Sequence, residues 1–88
     1  MACYLISYDL RKPNRNYDAL YAAIKAYRTW AHIHESVWAI VTENTATQVR
    51  DYLLQHLDAD DRVFVIRSGT ESAWKGVLCK NEWLKDHL

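Results

Sequence analysis

Residues 3–9, CYLISYD, put apolar side chains on both sides of an extended chain. Tyr4, Ile6 and Tyr8 alternate on one side; Cys3, Leu5, Ser7 and Asp9 take the other. Such a strand belongs in the interior of a sheet, with cover on at least one face. The rest of the chain must therefore supply neighbouring strands and helices to lie over them.

It has the material to do so. Residues 10–16 read as a loop, because Pro13 stops the strand and disfavours helix at Lys12. Asn14 or Asn16 can cap a helix over about 17–28, in which Tyr17, Leu20, Tyr21, Ile24 and Tyr27 form one buried stripe. Residues 30–43, WAHIHESVWAIVTE, read as two strands with a tight connection. In the second, Val37, Ala39 and Val41 face one way and Trp38 and Ile40 the other; the first, 30–34, reads as a short edge strand with its histidines toward water. Thr45-Ala-Thr-Gln48 is a capping box, and Ala46, Val49, Leu53 and Leu57 continue a helical stripe to about residue 57. Asp58, Asp60 and Asp61 make a turn, and 62–67, RVFVIR, are a strand. After a turn at 68–70, residues 73–79 read as a fifth, edge strand, and 81–88 as a terminal helix packing through Trp83, Leu84 and Leu88.

The order strand, helix, strand, strand, helix, strand is the ferredoxin-like βαββαβ pattern of an α+β fold. It predicts an antiparallel sheet with two helices on one face, plus a C-terminal strand and helix extension, in a single domain spanning 1–88. Four Trp, six Tyr and one Phe in 88 residues are a generous core supply, enough to make burial between two copies plausible.

The eleven basic and eleven acidic side chains cancel, so nucleic-acid binding would need a local basic patch. Arg11, Lys12 and Arg15 form one just after Asp9. Cys3 and Cys79 are too few for a disulfide framework or a four-ligand zinc site, and are expected to be free, buried thiols. No basic start with a long apolar run appears, nor any stretch near the ~20 apolar residues of a membrane span. A cytoplasmic location is expected. His32 and His34 share a side if 30–34 is a strand, a geometry open to zinc or copper, with Glu35 nearby. Ser7 and Ser36 lack the G-x-S-x-G turn of a nucleophile, and no phosphate-loop or dinucleotide fingerprint is present. Trp30 and Trp74 read as interface residues and Trp38 as core, although any Trp can stack on a base.

YLISYDL at the amino end, SVWAIVTE in the hairpin and RVFVIR in the fourth strand resemble the small CRISPR-associated endoribonucleases of the second adaptation-protein type. Virulence-associated protein D (VapD) ribonucleases share that fold, and the short SinR-like bacterial and phage proteins are similar again. The resemblance covers most of 3–67; the tail 68–88 departs from it. It implies a homodimer in which the acid ending the first strand meets its twin and holds a divalent metal. Carried over, that acid is Asp9, the metal Mg²⁺ or Mn²⁺, and Arg11, Lys12 and Arg15 would contact phosphates of RNA or, less readily, DNA. The alternative is a non-catalytic dimer that binds nucleic acid or a protein partner, including an adaptor of the CRISPR-adaptation type or a member of a toxin–antitoxin pair.

Overall fold

The computed structural model describes residues 1–12, 16–69 and 71–88. The elements are β1 (Ala2–Asp9), α1 (Asp18–Lys25), β2 (Thr29–His34), β3 (Val37–Thr42), α2 (Ala46–Leu54), β4 (Arg62–Arg67) and α3 (Asn81–His87). The four strands form one antiparallel sheet in the order β2-β3-β1-β4. The two-faced strand is indeed interior. β1 pairs with β3 through Ile6 opposite Trp38 and with β4 through Ile6 opposite Val65.

Each face of β1 feeds a different core. Tyr4, Ile6 and Tyr8 join Trp38 and Ile40 under Leu20, Ala23 and Ile24 of α1 and Val49 and Leu53 of α2. Both helices thus lie on one face. On the other, Cys3 and Ala39 meet Ile33 and Leu84, with Trp74, Val77 and Trp83 packed around them. The expected alternation along β3 holds: Trp38 and Ile40 enter the first core, and Val37, Ala39 and Val41 the second.

Local chemistry sets the ends of the helices. The capping box is complete: the Gln48 amide donates to Thr45 Oγ1 (3.2 Å) and the Thr45 amide to Gln48 Oε1 (2.9 Å). At α1 the Asp18 amide donates to Asn16 Oδ1 at 2.8 Å. Asn14, the other proposed cap, lies outside the described residues, as do Pro13, Arg15 and Thr70. Both helices stop about three residues short of the lengths read from their apolar stripes. Tyr27 and Leu57 still pack on the core, but from the turns that follow.

The tail corrects the sequence reading. No strand forms over 73–79. Gly76 adopts φ +67°, which breaks an extended run. The segment makes one sheet-like contact, Leu78 N–H to the Ile33 carbonyl at 2.7 Å, then leads into α3. The tail lies over the second face rather than lengthening the sheet. Trp83 Nε1 donates to Thr29 Oγ1 and Trp74 Nε1 to Asn81 Oδ1, each at 3.0 Å. Cys3 is buried and Cys79 half-buried, and both are free. Among the described residues no helix is long and apolar enough to cross a membrane.

Leu84 is 1% exposed and plugs the second core. Leu84→Ala should cost about 2–5 kcal/mol, read as a lower urea midpoint with an unchanged slope. A loss under about half a kcal/mol would show that the tail adds no cover.

Candidate functional site: the open end of the second face

Asp9 closes β1 directly opposite Arg62 of β4. By strand alternation it shares the second face with Leu5 and Ser7, which sit opposite Ile66 and Phe64. The tail leaves this half of the face open: Phe64 is 62% and Ile66 48% exposed. A row of exposed apolar side chains therefore runs along the sheet and ends at a carboxylate.

That carboxylate is held by guanidiniums. Arg62 Nη1 lies 3.2 Å and Arg11 Nη1 3.3 Å from the same oxygen, Asp9 Oδ2. All three side chains are about half exposed or more, so each pair contributes only about 0–1 kcal/mol. Lys12 Nζ lies 3.3 Å from Asp60 Oδ2, also in the open.

The acidic turn organises the basic segment. Asp61 accepts from the Arg11 amide through Oδ1 (2.7 Å) and from the Asp58 amide through Oδ2 (2.8 Å). The Tyr17 hydroxyl donates to both of its oxygens at 2.9 Å and accepts from the Lys12 amide at 3.3 Å. Charged acceptors make the stronger hydrogen bonds of this kind, so Asp61 ties the start of the loop to the turn before β4. Burial pushes the Tyr17 phenol above its ordinary value, and the bond to Asp61 adds to the effect.

The structure thus brings Asp9, Arg11 and Lys12 to one end of the sheet, while Arg15 lies outside the described residues. Sequence reasoning missed Arg62 as Asp9's cross-strand partner and Asp61 as the clip. Alternation along β1 and β4 could have found the first; the second depends on loop geometry. The basic segment is also less of an unopposed patch than the sequence suggested, because Asp9 and Asp60 each pair with its cations.

A divalent ion needs several hard oxygen ligands. Asp9 is the carboxylate that ends β1, and two arginines lie on one of its oxygens. Among the described residues no group of three His, Cys, Asp or Glu side chains could hold a metal. A second carboxylate beside Asp9 would add the hard oxygen donors that favour Mg²⁺.

The histidine pair does not form. A register shift between His32 and His34 separates them. His32 stacks on Trp38, with ring centroids 3.9 Å apart and planes 6° apart, whereas His34 borders a cavity beside Leu5 and Val37 on the other face. His32 is half-buried rather than open to water. Burial raises the Cys3 thiol above its usual value, with a bond to Ser68 opposing, which keeps it protonated and unreactive near neutrality. Ser7 lies in the β1 ladder opposite Val37, and the Ser36 carbonyl accepts from the Tyr8 amide at 3.1 Å.

No protein-family model matches the chain, and no solved structure matches it.

Tyr8 and Tyr27 join Tyr17 in having their phenols raised above 10.0, in each case mainly by burial. A raised folded value means stability fully present below the unfolded pKa and lost as pH climbs through the folded one. Thermal midpoints should fall progressively above pH 10, and the 295 nm titration should extend to higher pH in buffer than in urea. Superimposable titrations would contradict the burial of these rings.

Proposed function

We propose that this chain acts as a ferredoxin-like homodimer that binds and cleaves RNA, in line with its resemblance to the CRISPR-associated and VapD ribonucleases. The strand order β2-β3-β1-β4, with both crossover helices over one face, supports the fold assignment. One observation carries the functional reading. Asp9, Arg11 and Arg62 sit at the end of the uncovered half-face that exposes Phe64 and Ile66.

Exposed aromatic and aliphatic side chains of this size favour burial against a partner. A second copy has a self-complementary reason to sit there. Phe64 and Ile66 meet their twins, and a two-fold axis near Ser7 draws the two Asp9 side chains together. The two carboxylates would hold Mg²⁺, which when bound lowers the pKa of a water and stabilises charge on the phosphate. Arg11 and Arg62 bind the phosphodiester. Their exposed bonds to Asp9 are weak enough for a phosphate to replace. Lys12 extends the positive track along the backbone, and Asp61 fixes the loop that carries Arg11 and Lys12.

A specific observation favours a second reading. Within one chain both arginines point at Asp9, an arrangement that also serves a dimer gripping nucleic acid without cutting it. Incubation with labelled single-stranded RNA, in Mg²⁺, Mn²⁺ or EDTA, separates the two. Cleavage should require metal and fall at least about a hundredfold in Asp9→Asn, of unchanged size in solution. RNA binding without cleavage selects the second reading. Phe64→Glu, which places charge in the apolar row, should give a folded monomer by sedimentation equilibrium. A Phe64→Glu dimer would put the interface elsewhere.

A further inference from the structure

The first face of the sheet carries a recess that the Asp9 cluster does not use. It lies between α1 and the β2–β3 hairpin, encloses about 300 Å³, and is lined by Tyr8, Tyr21, Lys25, His32, Glu35 and Trp38. Its depth is fixed by hydrogen bonds. Trp38 Nε1 donates to the Tyr8 hydroxyl at 2.9 Å, and that hydroxyl donates to the Glu35 carbonyl at 3.2 Å.

Aromatic rings line it and continue past it to Trp30, which borders the adjoining cavity at the β2 edge. His32 lies flat on Trp38, and Tyr21 faces Trp38 at 6.3 Å with the planes 20° apart. Trp30, two residues before His32 on the same face of the edge strand, is 38% exposed and tilts toward Trp38 at 5.5 Å. Lys25 Nζ stands 5.4 Å from the Trp30 ring centre and 5.9 Å from that of Trp38. Unlike Arg11, Lys12 and Arg62, Lys25 has no carboxylate partner among the described residues.

Packing explains Trp38, which is 2% exposed. It does not explain an exposed Trp30, a half-buried His32 and an ammonium with no carboxylate partner among the described residues, all gathered around Trp38. Flat π-faces beside a cation suit an unpaired nucleobase and its phosphate. A duplex stacks its own bases and offers no free face.

We propose that this recess binds one unpaired base of an RNA strand, with the ring against His32 and Trp30 and the adjoining phosphate at Lys25. The inference rests on the nucleic-acid reading above and deepens it, by adding the α1–β2 rim as a second point of contact, one that takes an unpaired base.

The test uses the full chain in EDTA, so that the RNA stays intact, with dye-labelled oligouridylate and a blunt RNA duplex read by anisotropy. Trp30→Ser and Lys25→Gln alter exposed side chains, and circular dichroism checks that each variant folds. Trp30→Ser should weaken oligouridylate binding about tenfold, the worth of one stacked base. Lys25→Gln should weaken it and make its salt dependence shallower by about one phosphate contact. Duplex binding should change in neither. Arg62→Gln serves as the reference for the other face. If it weakens single-strand binding while Trp30→Ser and Lys25→Gln do not, the recess assignment is overturned and the nucleic-acid reading stands. If the wild-type chain binds neither RNA, both fall.

Discussion

Everything in this fold hangs on the burial of β1 from both sides. Ile6 is fully buried on the helix face, and Cys3 is 6% exposed on the other. One strand therefore requires two separate covers, α1 with α2 and the tail with α3. A small domain has little apolar area to divide between two cores. The four Trp and six Tyr make the division feasible, because aromatic rings bury much surface per residue. The cover runs out over β4. Phe64 and Ile66 stay in the open there, and the candidate site lies at that boundary.

The two faces consequently offer different chemistry. The second face is a half-finished core that ends in the Asp9–Arg11–Arg62 cluster, so whatever completes it also determines what surrounds that carboxylate. The first face is finished by the helices except along β2, where Trp30 and the half-buried His32 lie beside Lys25 of α1. On the proposed reading, a nucleic-acid strand passing from one face to the other would meet the Arg11–Arg62 cluster and then the Trp30–His32 rim. In this account these divide the labour between positioning the backbone and distinguishing single strands from double.

Much of this was legible in the chain itself, for reasons that can be named. β1 and β3 alternate cleanly, so their faces follow from parity, and the Thr45–Gln48 box marks the start of α2 unaided. The tail misled because AWKGVLC has strand-like composition, while the positive φ of Gly76 depends on a turn that composition does not encode. The histidine pair misled because parity assumes an unbroken ladder. A single irregularity sends His32 and His34 to opposite faces. The charge reading was incomplete for a third reason. Asp9 and the basic loop are adjacent in sequence, but Arg62 and the Asp58–Asp61 turn reach them only through strand pairing.

Two copies that meet along the open half-face, as proposed, bring their Asp9 positions side by side. A cross-link measures this. Asp9→Cys, in a chain whose Cys3 and Cys79 are replaced by Ser, is treated with a short bis-maleimide, and Ala22→Cys on the exposed side of α1 serves as the control. The position-9 variant should convert rapidly to a covalent dimer at concentrations where the control stays monomeric. Equal or slower cross-linking at position 9, from a protein that sediments as a dimer, would place the interface elsewhere and leave Asp9 without its twin.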